Sequence, residues 1–194
     1  MEIKTIAIVG AANLGRKIAY AAALAGYHTL LEDVSPSALE QGIAWIAQTF
    51  ADDVTRGKIP AAVRDAALAR LSMAVSAEDA SREADLIIEA VADEMEVKIE
   101  LFTIFDKFAK PGAIFASTAT SLSITEMAAV TFCPERCIGM HFMADAQNAG
   151  RLELVKGLET SEETIAACRE VGRRMSREVC LLSDEQVMSA SADN

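Results

Sequence analysis

Six residues, Gly10-Ala11-Ala12-Asn13-Leu14-Gly15, and a carboxylate 18 residues beyond Gly15, Asp33, have types and spacing that could do chemistry together. Glycines in a strand-to-helix turn let backbone N–H groups approach a pyrophosphate, and the helix N-terminus adds its positive dipole end. An acid about twenty residues further on accepts hydrogen bonds from adenosine ribose hydroxyls. The same acid repels a 2′-phosphate, so the expected ligand is NAD rather than NADP. Against the pattern G-x-G-x-x-G the middle glycine is replaced by Ala12. Its extra methyl should weaken contact with the pyrophosphate without abolishing it. Gly10, Ala12, Asn13, Leu14, Gly15 and Asp33 are therefore candidate cofactor residues. A ligand-free βαβ unit would share much of this pattern, but the order of its parts and the terminal acid favour the dinucleotide.

The elements needed to position these residues can be read around them. An apolar strand over Ile6 to Val9 leads into Gly10, a helix runs from Asn13 to Ala25, and Gly26 stops it. A second strand, Thr29 to Leu31, delivers Glu32 and Asp33. Apolar residues at helical spacing predict a helix over Pro36 to Phe50, and Pro60 opens another that runs to about Arg70. The short polar link between them suggests a protruding helical hairpin. Strands are expected at Leu71 to Ser76, Ala84 to Val91, Ala113 to Ser117, Cys137 to His141, Arg151 to Lys156 and Val179 to Leu182. Helices are expected at Glu94 to Phe108, Ile124 to Ala129 and Glu162 to Met175. Strands alternating with helices predict an α/β, doubly wound, Rossmann-type domain with a mostly parallel sheet. The domain is expected over residues 1–184. The segment from Ser183 on is polar and patternless, so a frayed tail is expected over 185–194.

The 194 residues are 52% hydrophobic, enough for one well-buried domain, and carry a formal net charge of −11. That charge argues against a nucleic-acid or anionic-membrane partner. No basic leader precedes an apolar run at the N-terminus and no apolar run approaches membrane-spanning length, so a cytoplasmic protein is expected. Cys133, Cys137, Cys168 and Cys180 form no C-x-x-C pair and have no histidine at metal spacing. Free thiols and no metal site are expected.

Three further segments carry a resemblance: Ala84-Asp-Leu-Ile-Ile-Glu-Ala-Val91 leading to Val97-Lys98, Phe115-Ala-Ser-Thr-Ala-Thr-Ser-Leu122, and Arg136-Cys-Ile-Gly-Met-His-Phe142. With the glycine turn, they resemble the N-terminal domain of the 3-hydroxyacyl-CoA dehydrogenases over about residues 3 to 184. The resemblance implies hydride transfer from C3 of a 3-hydroxyacyl-CoA to NAD. It implies a histidine, here His141, that removes the hydroxyl proton, and a glutamate, here Glu153, that orients and charges it. It places Thr120 at the position of a substrate-binding serine, and Lys98 and Thr118 on the nicotinamide side. Ala92 and Asp93 follow the Glu-Ala-Val run beside the cofactor. Arg56 and Lys58, in the hairpin link, could meet CoA phosphates or could be a solvated turn.

The sequence also departs from that family. Asp93-Glu94 stand for Glu-Asn, Thr118 for an asparagine, and Ala144-Asp145 for Asn-Pro; the asparagine that opens the family's helical domain aligns with Ser191. That helical domain is expected to be absent, leaving NAD binding with doubtful autonomous activity. An active short dehydrogenase completed by oligomerisation is one alternative. A non-catalytic NAD-responsive or structural partner protein is the other. Self-association or pairing with another chain is expected, with Met140, Phe142, Met143, Val187 and Met188 as apolar candidates.

Overall fold

A computed structural model describes residues 2–143 and 150–192 of the chain. In chain order the elements are β1 (Thr5–Val9), α1 (Asn13–Leu24), β2 (His28–Glu32), α2 (Pro36–Thr55), α3 (Ala61–Leu68), β3 (Leu71–Met73), α4 (Ala77–Glu83), β4 (Leu86–Glu89), α5 (Met95–Phe108), β5 (Ile114–Ser117), α6 (Ile124–Ala128), β6 (Cys137–Phe142), β7 (Arg151–Lys156), α7 (Glu162–Arg174), β8 (Glu178–Ser183) and α8 (Asp184–Ala192). The strands make one sheet in the order β3-β2-β1-β4-β5-β6-β7-β8. Every pairing is parallel except β6 with β7.

Because strand side chains alternate between faces, each strand feeds two cores. Ile6, Ile8 and Leu31 point to the side covered by α1, α2 and α7. Ala7, Val9, Ile87 and Phe115 point to the side covered by α4, α5 and α6. Buried on both faces, β1, β4 and β5 read as short apolar runs, as parallel strands do. Serines set several helix starts. Ser35, Ser76, Ser123 and Ser161 each accept a backbone N–H three residues on. The α2–α3 hairpin buries Leu39, Ile46, Phe50 and Ala67 in the core on the α1 side.

Strand order reverses between β1 and β4, which opens a crevice beyond their carboxyl ends. Two segments differ from the sequence reading. Ala77–Glu83 is a helix, where no element was expected; seven residues are too few to show a helical period. Residues Asp184–Ala192, where no element was expected, form a helix. Asp184 holds its start in place by accepting the Ser123 hydroxyl and the N–H groups of Ile124 and Thr125.

Candidate functional site

The glycine turn is shaped by close approach. Gly10 has φ +107°, a conformation that favours glycine, and a Cβ there would lie 2.8 Å from the Ala90 carbonyl oxygen. A Cβ at Gly15 would lie 1.7 Å from the Gly10 carbonyl oxygen, so α1 can sit on β1 only with glycine at this position. Ala12 is the N-cap of α1 and supplies no side-chain cap, so the first-turn amides of Asn13, Leu14 and Gly15 keep donors for an anion. Ala12 and Asn13 are exposed, and Leu14 is half-buried against the core. Asp33 braces the turn as well as facing it. Its carboxylate accepts the Ala11 N–H and the Ser35 N–H, each at 2.8 Å.

A crevice of about 950 Å³ opens beside this turn, with Gly10, Asp33 and Ala92 on its wall. Val34 and Val75 line it at 94% and 91% exposure, with Met73 and Val97 also exposed. Apolar side chains held open on both sides of a slot suit a flat base. The residues present therefore fit a dinucleotide: amides for the pyrophosphate, a carboxylate for the ribose and apolar walls for adenine. Glu32, Glu78, Glu94 and Glu100 also line the crevice, and among the described residues no Lys or Arg does. This is the electrostatics expected of a site that rejects a 2′-phosphate.

Past Ala92 the strand ends carry a polar network. Lys98 is fully buried, with Nζ 2.8 Å from both Glu89 carboxylate oxygens and 3.3 Å from Asp93. Glu89 also accepts the Ser117 hydroxyl at 2.7 Å and the Val91 N–H at 2.6 Å. Asp93 in turn accepts the Thr120 hydroxyl at 3.2 Å and the Thr120 N–H at 3.3 Å. Thr118 is buried, its N–H bonded to the Glu89 carbonyl at 3.0 Å. The structure thus joins Lys98, Asp93 and Thr120 into one unit. Glu89 and Ser117, its anchors, were not singled out from sequence. The available signal was a carboxylate ending an apolar strand nine residues before a lysine.

His141 lies near the end of β6, 4% exposed, directly opposite Glu153 in the antiparallel pair with β7. Its Nε2 is buried with no hydrogen-bond partner among the described residues. Burial pulls the imidazole below its usual range; Glu153, a hydrogen bond to the Ala119 backbone, Asp93 and Asp184 oppose that pull. Glu153 itself pairs with Arg151 at 3.4 Å. The two residues are thus juxtaposed by register.

Other candidates fall elsewhere. Lys58 pairs with Asp53 at 3.0 Å, and Arg56 is exposed at the hairpin tip. Met140 and Val187, expected on an exposed apolar surface, are buried in the core, because Met140 faces α7 and α8 folds Val187 inward. Ala144 and Asp145 lie outside the described residues, as does the side chain of Ser191. Among the described residues no cluster of His, Cys, Asp and Glu could hold a metal, the four cysteines are free thiols, and no helix is long and apolar enough to cross a membrane.

Comparison with known proteins agrees with this geometry. Residues 5–185 match the family model described as 3-hydroxyacyl-CoA dehydrogenase, NAD binding domain. The chain is 38% identical to a probable 3-hydroxybutyryl-CoA dehydrogenase of Bacillus subtilis, over 95% of this chain and 64% of that protein. It is 36% identical to a 3-hydroxybutyryl-CoA dehydrogenase of Bradyrhizobium diazoefficiens, over 94% of this chain and 62% of that one. The crystal structure of the (S)-3-hydroxybutyryl-CoA dehydrogenase of Ralstonia eutropha superposes with a TM-score of 0.88 at 32% identity, covering 94% of this chain and 64% of that chain. The 3-hydroxybutyryl-CoA dehydrogenase of Escherichia coli gives a TM-score of 0.90 at 32% identity, covering 95% and 39%. The chain spans less than two thirds of the length of each of these relatives. The glycine turn, the acid-lined crevice and this match together show that the chain belongs to the 3-hydroxyacyl-CoA dehydrogenase family, as its NAD-binding domain.

Proposed function

We propose that this domain carries the cofactor half and the acid–base group of a 3-hydroxyacyl-CoA dehydrogenase site. In this reading His141 takes the hydroxyl proton of a 3-hydroxyacyl-CoA as a hydride leaves C3. NAD, when bound, supplies the hydride acceptor. One observation carries the reading: the buried Nε2 of His141, without a partner among the described residues, set opposite Glu153. A neutral imidazole can accept a proton at neutral pH, and Glu153, Asp93 and Asp184 favour the imidazolium that results. Thr120, held by Asp93, offers its oxygen to the substrate. Lys98 holds Asp93 and Glu89 in place along the cofactor path, beside Ala92 and Thr118. The Gly10–Gly15 turn, including Ala12, Asn13 and Leu14, holds the pyrophosphate, and Asp33 holds the ribose.

Short acyl chains are the substrates to try first, because the relatives named above are 3-hydroxybutyryl-CoA dehydrogenases. The cytoplasm, where NAD(H) and acyl-CoA meet, is the compartment this reading implies. An oligomer or a complex with another chain is part of this reading, supported by the exposed apolar side chains of Phe132 and Leu158. The test is NADH absorbance with acetoacetyl-CoA as substrate. Slow NADH consumption is expected, lost in His141→Ala while that variant still binds NADH. Bound NADH with no consumption in the wild type would favour a non-catalytic, NAD-responsive partner protein.

A further inference from the structure

Glu32 ends β2 on the sheet face covered by α4 and lines the adenosine crevice. Its residue is 4% exposed, and its Oε2 is buried with no hydrogen-bond partner among the described residues. The Glu32 carbonyl accepts the Gly10 N–H at 2.8 Å, and the side-chain bracing of the turn falls to Asp33, whose two oxygens are both engaged, which leaves the Glu32 carboxyl outside that bracing. A buried carboxylate without donors is costly, and such a group is retained at low cost only if it is neutral or if something else completes its bonding.

Among the described residues the surroundings supply no counter-charge. Asp33 follows in the chain and Glu78 faces it from α4. Glu94 and Glu100 stand on the α5 side of the same crevice. The flanking strands β1 and β3 contain no charged residue. The cations of α1, Arg16 and Lys17, belong to a helix on the opposite face, where Arg16 stacks on Trp45. On α4 itself Arg82 is taken by Asp79. Burial first, then Asp33 and Glu78, push the Glu32 carboxyl up to about 7.

We propose that Glu32 is a specificity residue of the crevice, which donates a retained proton to the adenosine half of the cofactor. A neutral carboxylic acid offers one O–H donor and one C=O acceptor, and adenosine presents both kinds of partner on its base edge and its ribose. The ionised form would face adenosine's acceptors with no proton to give. Closing the crevice over Glu32 also removes remaining water and favours the neutral form further. Cofactor binding is therefore accompanied by proton uptake near neutral pH. This inference rests on the NAD-binding reading above.

The experiment is isothermal calorimetry with ADP-ribose, which keeps the adenosine half and cannot reach His141 with a nicotinamide ring. Wild type and Glu32→Gln are titrated at about pH 6.5 and pH 8.5, and near pH 7.5 in two buffers of different ionisation enthalpy. Wild-type affinity is expected to fall on the order of tenfold from the lower to the higher pH, with net proton uptake near pH 7.5. Glu32→Gln keeps a donor and an acceptor and cannot ionise. It is expected to bind at both pH values as the wild type does at the lower one, with no proton uptake. A flat wild-type profile without proton uptake, or the same proton uptake in Glu32→Gln, would overturn the role of Glu32 while leaving NAD binding intact. Failure of the wild type to bind either ADP-ribose or NADH at any pH would overturn the NAD-binding reading, and the Glu32 inference with it.

Discussion

Gly15, Ala12, Glu32 and Asp33 show how single atoms govern the cofactor turn. A Cβ at Gly15 would overlap the Gly10 carbonyl oxygen, which is backbone and cannot swing away. Gly15→Ala should therefore cost about 3 kcal/mol or more of stability, read as a lower urea midpoint. Ala12→Gly removes a methyl from the exposed N-cap position and should tighten NADH binding about fivefold, equivalent to ~1 kcal/mol, by calorimetry. Glu32 makes a prediction about the free chain as well. Its carboxyl titrates near 4.5 when unfolded and at about 7 when folded. Between those values the folded state binds the extra proton, so stability falls as pH rises, and the full penalty stands above pH 7. Glu32→Gln should then raise stability at pH 8 by about 1–3 kcal/mol and leave it little changed at pH 4. Denaturant midpoints at the two pH values check this, and an equal shift at both would contradict it. Gly10, Gly15 and Asp33 were legible in the sequence because their spacing is set by backbone geometry. Glu32, next to Asp33, is not legible in the same way, since only the folded sheet shows its carboxyl buried with an oxygen that finds no partner among the described residues.

At the scale of elements, the strand ends carry the arrangement. β4, β5 and α5 meet at the Glu89–Lys98 pair, both members fully buried. Lys98→Met would strand the Glu89 carboxylate and should cost about 3–5 kcal/mol. Changing Glu89 to Gln in the same chain should recover part of that loss, a coupling read by a double-mutant cycle. β6 and β7 place His141 opposite Glu153. Because burial dominates at His141, the folded imidazole gives up its proton more readily than the unfolded one. Its contribution to stability is therefore present above the usual histidine range and lost as pH falls through and below it. The acid limb of the proposed activity should lie below pH 6.5, and Glu153→Gln should move it lower still, since the carboxylate opposes the burial effect. Most elements were readable from apolar periodicity and from Gly and Pro punctuation. α4 and α8 were not: α4 is a single short polar run, and α8 is held by Asp184 capping a helix sixty residues earlier in the chain. For Lys98 the resemblance gives a place on the nicotinamide side, but its buried pairing with Glu89 shows only when β4 lies beneath α5.

The whole molecule has an acidic charge of −11 and an apolar surface that the sequence located only in part. Met188 is exposed as expected, but the most exposed large apolar side chains include Phe132, at 98%, and Leu158. A chain that self-associates through these positions should show a concentration-dependent sedimentation coefficient at micromolar protein, reduced in Phe132→Ser. A single monomeric species, unchanged by concentration or NADH, would contradict self-association. Fold and cofactor class were legible because both follow from the order of strand, turn, helix and acid. The network around Lys98 and the surface were not, because they depend on which side chains the sheet brings together. At this scale the central claim is that the acid-lined crevice between the ends of β2, β3 and β4 is an NAD site that rejects the 2′-phosphate. Calorimetric titration of the chain with NADH and NADPH side by side tests it most directly. Saturable NADH binding is expected, with NADPH binding weaker by about tenfold or more, a difference of ~1.4 kcal/mol. Equal affinities, a preference for NADPH, or no heat with either ligand at millimolar concentration would contradict it.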